Sequence, residues 1–201
     1  MIRLLAVVLC LWSVAANAAL ETWPALYDVS GVASDDVLNV RAGPSASFEI
    51  IGSLAYNATN VEVVDVDEDR QWGLVNIGEQ SGWVSLRFMD RQPRWAGSFP
   101  EVTSCFGTEP FWSLTFDENG GKLDRLGYDL LSFPPVQRLS STNRVDRFAF
   151  VSQPVLGTLR EEQCSDGMSD RTYGLSIEVI TGPAGNLEQL SGCCSIQPDQ
   201  P

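Results

Sequence analysis

The chain has 201 residues, which is enough for one large or two small domains. It carries 26 acidic and 13 basic side chains, a net charge of −13, and it contains no histidine. This charge disfavours nucleic acids and anionic membranes as partners, and it keeps a protein dispersed as a monomer. Without histidine the chain cannot build a Ser-His-Asp or Cys-His catalytic centre or a histidine-ligated catalytic zinc site.

The N-terminal residues have the composition of an export signal. Arg3 precedes an apolar run from Leu4 to Val14 that is too short to span a bilayer. Ala16-Asn17-Ala18 then supplies the small residues that signal peptidase recognises, so we predict a signal peptide at residues 1–18. The mature chain would be periplasmic or secreted, with no membrane anchor. Its charge would be −14, from 12 basic and 26 acidic residues.

Short strands bounded by turns fill the stretch from Tyr27 to Asp90, and no part of it has sustained helical periodicity. Near-alternation from Val61 to Val66 is broken at Asp67-Glu68-Asp69 and resumes at Trp72. We interpret the acidic cluster as a solvated hairpin tip, because it lacks the glycine and distal glutamate of an EF-hand calcium loop. The pattern predicts a small β-barrel or sandwich.

The segment from Gln92 to Pro100 has the composition of a linker, because it contains Pro93, Gly97 and Pro100. All the cysteines that survive signal cleavage come after it. We therefore predict a boundary near residue 95, with one domain at 24–92 and a second at 98–196.

The second half is also rich in strands, which makes the whole protein all-β. Phe111 to Phe116 alternates and leads into a strong hairpin turn at 117–121. Two more strands are predicted at 147–151 and 173–180. One of the adjacent aromatic residues Phe111 and Trp112 must face outward, and the sequence leaves open which one.

The four remaining cysteines are Cys105, Cys164, Cys193 and Cys194. An even number in an oxidising compartment indicates two disulfides. A bond between the adjacent Cys193 and Cys194 would close a strained ring, so we predict that Cys105 and Cys164 each pair with one of them. Both such pairings stay open. The spacing lacks the C-x-x-C pairs of a zinc site, and we predict no metal and no cofactor.

A catalytic centre without histidine can still be built from two carboxylates, as in glycosidases. The candidate pairs are Glu109 with Asp117 and Glu161 with Glu162. Two small domains leave little room for the long cleft that holds a sugar chain. We therefore predict that the protein is not an enzyme.

Asp166 and Asp170 lie in an Asp-Gly turn region that follows Cys164. Aspartate side chains in such turns commonly bond their own backbone, and Arg171 can pair with either carboxylate. We interpret this loop as a structural element pinned by Cys164 rather than a cation site.

Five phrases follow one another in the first half: L-N-V-R-A-G-P at 38–44, I-I-G-S-L at 50–54, V-E-V-V at 61–64, Q-W-G-L-V at 71–75 and S-G-W-V at 81–84. Their order resembles the bacterial SH3-like (SH3b) domain, a family of small β-barrels that mostly bind cell-wall peptides or other extracytoplasmic partners. The resemblance implies that Trp83 lies in the core and that Tyr56 and Trp72 flank a peptide groove. An alternative position for Trp72 is the wall of the core.

Three phrases in the second half contain its cysteines: C-F-G-T-E-P-F-W at 105–112, C-S-D-G-M-S-D-R at 164–171 and G-C-C at 192–194. Together they resemble a group of exported bacterial domains of unassigned function. The resemblance implies a small, disulfide-stapled β-barrel.

These observations predict a noncatalytic, exported binding protein of the bacterial envelope. Its SH3-like domain would bind a peptidoglycan fragment (a cell-wall peptide or glycopeptide) or an envelope protein through Tyr56 and Trp72. The alternative is an acidic inhibitor or scaffold for a basic periplasmic protein, such as a lysozyme-like hydrolase.

Overall fold

Short antiparallel strands joined by tight turns account for almost all of the regular structure. The computed structural model describes residues 22–94 and 99–198. The first unit contains β1 (Ala25–Val29), β2 (Val37–Arg41), β3 (Ile50–Ala55), β4 (Val61–Val63), β5 (Asp65–Val66), β6 (Trp72–Ile77), β7 (Gln80–Ser85), a 3-10 turn (Leu86–Phe88) and β8 (Met89–Arg91). The second contains β9 (Ser104–Gly107), β10 (Trp112–Asp117), β11 (Gly120–Arg125), β12 (Leu131–Phe133), β13 (Gln137–Ser140), β14 (Arg147–Val151), β15 (Leu156–Cys164), β16 (Tyr173–Thr181) and β17 (Glu188–Ser195). The predicted all-β fold class is confirmed.

The first unit consists of two small sheets packed around one hydrophobic core. One sheet has the order β4-β1-β8 and the other the order β3-β2-β7-β6-β5. Valines dominate the centre of the core because β-branched side chains pack well on pleated strands. The fully buried ones are Val40, Val63, Val75 and Val84.

The three-stranded sheet β4-β1-β8 contacts both units, and we name it the shared sheet. Successive side chains of a strand point to opposite faces. Ala25, Tyr27 and Val29 of β1 therefore face the first core, whereas Leu26 packs against the core of the second unit. Glu62 of β4 is the register partner of Leu26. One sheet thus joins the two units.

A single antiparallel sheet of nine strands forms the second unit, in the order β12-β11-β10-β9-β17-β16-β15-β14-β13. The sheet is a half-barrel that wraps around its own core. Alternating residues of the long strand β16, namely Leu175, Ile177 and Val179, lie at the centre of this core. Phe150 of β14 is fully buried with them.

The two edge strands of the half-barrel, β12 and β13, are consecutive in the chain. Pro134 and Pro135 lie between them, and proline cannot donate a backbone hydrogen bond to a ladder. The chain therefore pairs first with β11 and, after the prolines, with β14. The Ser152 hydroxyl, just after β14, donates to the Pro134 carbonyl over 3.0 Å. The sheet thus curves until its two edges approach each other at this point.

Both predicted disulfides are present, and the structure selects one of the two open pairings. Cys105 bonds to Cys194, and Cys164 bonds to Cys193. Because Cys193 and Cys194 are consecutive in β17, their side chains point to opposite faces of the sheet. The Cys105–Cys194 bond lies in the core, directly across the β9–β17 ladder. The Cys164–Cys193 bond ties the end of β15 to β17.

Two aromatic positions are decided by strand alternation. Trp83 is half-buried and lies outside the first core, so the expectation that it packs in the core is wrong. Gly82 and Val84 are its inward-facing neighbours on β7, which leaves Trp83 on the other face. In the second unit Trp112 is buried (5% exposed) and Phe111 faces outward (49% exposed).

Two features predicted from the sequence lie outside the described residues. The signal peptide at 1–18 lies before them, and the predicted boundary near residue 95 lies within 95–98. Whether the domains extend over 24–92 and 98–196 therefore stays a prediction.

Removing the disulfides one at a time should destabilise the protein unequally. In the chain-entropy model a disulfide stabilises more when it closes a longer loop. The bonded cysteines are 89 residues apart for Cys105–Cys194 and 29 apart for Cys164–Cys193. We expect losses of about 4–5 and about 3–4 kcal/mol for the two double alanine variants, measured by urea unfolding. A larger loss from the Cys164–Cys193 pair would contradict the entropic account.

The turn into β11 requires glycine at position 120. Gly120 has a φ of +141°, and a Cβ there would overlap the Phe133 carbonyl oxygen. We expect Gly120→Ala to cost about 3 kcal/mol in urea unfolding, because backbone strain and a backbone clash add. Gly127→Ala is the control, since Gly127 has a φ of +85° but open space around it. It should cost only about 1 kcal/mol. Equal losses would show that the clash has no effect.

Candidate functional site

The first unit carries a groove with apolar walls. Its volume is about 530 Å³, and it lies between the loop after β1, strand β2 and the start of β6. Its apolar walls are formed by Val32, Ala33, Val37, Leu38, Ala46, Trp72 and Phe88. A pocket with apolar walls and a few polar groups is the usual form of a small binding site.

Trp72 is held at the groove by the acidic hairpin tip that precedes it. The carboxylate of Asp67 accepts hydrogen bonds from the backbone N–H groups of Gln71 and Trp72, at 2.7 and 2.8 Å. Asp67 also receives the turn hydrogen bond from the Arg70 N–H, and its own N–H donates to the Trp72 carbonyl. The cluster is therefore a hairpin tip, as predicted, and it fixes where β6 begins.

Three charged side chains that were not among the predicted binding residues also line the groove. They are Asp36, Arg41 and Arg87. Arg41 donates to the Phe48 carbonyl over 2.7 Å, and the Arg87 guanidinium lies 5.4 Å from the centre of the Phe88 ring. Arg41 belongs to the L-N-V-R-A-G-P phrase, so the sequence contained a signal that could have identified it. The groove can therefore offer aromatic contact together with two cations and one carboxylate.

Tyr56 lies apart from these residues. It follows the last residue of β3, is 40% exposed and is not among the residues that line the groove. The structure therefore places Trp72 in the groove and Tyr56 outside it. Binding by either residue stays a prediction.

The second unit docks on the tip of the β6–β7 hairpin through the loop that follows Cys164. Gln80 and Asp170 form a parallel β-bridge, in which the Ser81 N–H donates to the Asp170 carbonyl and the Asp170 N–H donates to the Glu79 carbonyl. Thr172 adds a backbone N–H bond to the Ser81 hydroxyl over 2.8 Å. The edge of the hairpin is thus occupied by the chain itself.

Arg171 of the same loop bonds to the first unit rather than to its own aspartates. Its Nε donates to the Gly78 carbonyl over 2.6 Å, and its Nη2 lies 3.0 Å from the Glu79 carboxylate. Asp166 instead accepts bonds from the N–H groups of Met168 and Ser169. Burial raises the pKa of Asp166, but these bonds outweigh it and hold that pKa below its usual range.

Docking leaves the groove uncovered. The second unit contacts the hairpin tip at residues 76–81, whereas the groove uses Trp72 and Ser85 at the opposite end of the hairpin. Five residues of extended strand separate Trp72 from Ile77, which is about 17 Å. Among the described residues, all those that line the groove belong to the first unit.

The three cysteine phrases of the second unit meet in one place. Besides the two disulfides, the Thr108 hydroxyl donates to the Asp166 carbonyl over 2.7 Å. Trp112 packs on two glycines from different phrases, and a Cβ on Gly107 or Gly192 would overlap its ring. The phrases thus form a packing unit, in which the glycines allow the tryptophan to approach the backbone.

Three of the four carboxylates considered for catalysis have a partner of their own. Glu161 pairs with Arg94 at 2.6 Å, and Glu162 accepts from the Ser176 hydroxyl at 2.6 Å. Burial raises the pKa of Glu161, Arg94 partly offsets that rise, and Asp146 adds to it. Glu109 is exposed, and Asp117 accepts from the Asn119 N–H in the hairpin turn.

Comparison with known proteins identifies the first unit. Residues 36–90 match the family model of the bacterial SH3 domain. No curated protein and no solved structure matches the chain. In the described part of the chain, no helix has the length and apolar character needed to cross a membrane.

Substitutions in the docking loop should separate its two kinds of contact. Arg171→Ala removes a charge-assisted bond to a backbone carbonyl, and we expect it to cost about 1 kcal/mol in urea unfolding. Glu79→Gln removes only an ion pair whose carboxylate side chain is 83% exposed, and we expect it to cost less than about 0.5 kcal/mol. Equal losses from both variants would show that the ion pair, not the Gly78 contact, holds the loop.

Proposed function

We propose that this protein is a noncatalytic binding protein of the bacterial envelope. The bacterial SH3 domain at residues 36–90 is a binding module of a type often related to the cell wall. In this proposal its groove holds a peptide or glycopeptide of peptidoglycan, or a segment of an envelope protein. The observation that supports it most directly is the open groove that carries Trp72 on this domain.

The chemistry of the groove suits a short peptide. Trp72 and Phe88 offer flat contact area, which contributes strongly to recognition at low conformational cost. Arg41 and Arg87 can bind a carboxylate of the ligand, and Asp36 can bind an amine. A peptide that bears both groups matches this arrangement.

Export to the envelope is supported by the disulfides. Two disulfides in a domain of about a hundred residues are typical of an oxidising compartment. The apolar N-terminal run and its small-residue cleavage pattern agree with this compartment.

A second candidate function rests on charge. A chain with a net charge of −13 attracts basic proteins, so it can serve as an inhibitor or scaffold for a basic hydrolase. Binding of that kind weakens with added salt, because exposed charge pairs are screened within a Debye length. Aromatic contacts in the groove are much less sensitive to salt.

The test is retention of the purified mature protein on insoluble peptidoglycan at low and high salt. We expect retention at both, and we expect Trp72→Ala to weaken it by about tenfold or more, as for an aromatic residue at the centre of an interface. Tyr56→Ala shows whether the ligand extends beyond the groove.

Trp83→Ala is the matched control, because Trp83 lies on the same hairpin but outside the groove. It should leave retention unchanged once folding is verified by circular dichroism. No retention at either salt would rule out the wall ligand. Retention that is lost at high salt would favour the acidic scaffold.

A further inference from the structure

Glu62 is a buried carboxyl at the junction of the two units. It is 4% exposed, although it lies between Val61 and Val63, which face the first core. Strand alternation turns Glu62 the other way, toward the second unit. Buried carboxyls are rare unless they are paired. The bonds that Glu62 makes therefore indicate what it does.

Among the described residues, the donors to the Glu62 carboxyl lie at the end of β17 and just after it, in residues 195–198, which we name the C-terminal segment. The Ser195 hydroxyl donates to one carboxyl oxygen. The Ile196 N–H donates to the other over 3.3 Å, and the Gln197 N–H donates to the Ser195 hydroxyl oxygen over 3.0 Å. A single side chain of the first unit thus binds two successive residues of the second, and Gln197 is connected to it through Ser195.

Glu62 has no cationic partner among the described residues. A cleft of about 310 Å³ opens beside it, and the other ionisable groups lining that cleft are Arg171 and Tyr173. Arg171 is bound to the Gly78 carbonyl and to the Glu79 carboxylate. The facing residue on β1 is Leu26, which is apolar. The charge of an ionised Glu62 is therefore stabilised by hydrogen bonds alone.

We propose that Glu62 is a proton-controlled latch, which holds the C-terminal segment on the first unit when it is protonated and loosens it when it is ionised. A protonated carboxyl still accepts backbone hydrogen bonds and can also donate one to the Ser195 hydroxyl. An ionised carboxyl must remain buried without a counter-charge, which is costly. The latch is independent of what the groove binds.

The direction of the effect follows from linkage. Burial raises the pKa of Glu62 from 4.5 to about 7, and the bonds from Ser195, Ile196 and Gln197 offset part of that rise. The docked state therefore binds the proton more tightly than a state in which Glu62 meets water. Docking is fully favoured below about pH 4.5 and weakens as the pH rises through about 7.

The test is amide hydrogen exchange in the full mature chain, corrected for the intrinsic pH dependence of exchange. Between pH 5.5 and 8.5 we expect the opening equilibrium at the Ile196 and Gln197 amides to rise by roughly thirtyfold. Amides in the centre of β16, such as Ile177, serve as the reference for global opening. Equal protection of the C-terminal segment at both pH values would overturn the proposal.

Two variants identify the group that titrates. Glu62→Gln cannot ionise, so its segment should show no pH dependence, whereas Glu68→Gln at the exposed hairpin tip should behave like the wild type. Ser195→Ala removes a hydrogen bond that favours the ionised form of Glu62. The midpoint of the pH-dependent change in amide protection should therefore move to higher pH. If Glu62→Gln does not fold, the shift of the midpoint in Ser195→Ala tests the proposal instead. A pH dependence retained in Glu62→Gln, or a midpoint unmoved in Ser195→Ala, would refute the latch.

Discussion

The contact of the shared sheet with both cores joins the two units, and the other contacts between them are arranged around it. A sheet of three short strands needs a hydrophobic face packed on a core to be stable. Here β1 contributes Tyr27 to one core and Leu26 to the other, so that neither unit completes its core without it. Glycine permits the close approach at one contact, since a Cβ on Gly174 would lie 2.7 Å from Pro24. The two units are therefore coupled through packed side chains.

Because the two units are coupled in this way, some surfaces of the SH3 domain are covered and another is left open. The hairpin tip and the outer face of the shared sheet are occupied by the second unit. The groove, at the other end of the hairpin, stays open. An unpaired strand edge is a site for unwanted association, and the parallel bridge at Asp170 covers one here. The disulfides hold the strands that carry this docking loop and the C-terminal segment.

Much of this architecture could be predicted from local patterns. Alternation and turn residues identified the strands around Trp72 and from Tyr173 to Ile180, since both signals act over a few neighbouring residues. The cysteine count and the strain of a vicinal ring limited the pairings to two. Trp83 was placed wrongly because a phrase fixes where a strand lies but not which face of it is buried. The sequence suggested nearby aspartates as possible partners of Arg171, because Gly78 and Glu79, which it contacts, are 93 and 92 residues away.

Local sequence patterns were sufficient to predict the fold class, the SH3 domain, the cysteines that form disulfides and the position of Trp72 on a hairpin. Each follows from the chemistry of residues that are close together in the chain. Only the tertiary structure decided which cysteines pair, which charges line the groove and that Glu62 is buried. Glu62 stands in a strand where either face could meet water, and its environment is created by a segment 133 residues further along. No local pattern encodes such a contact, because burial is a property of the packed whole.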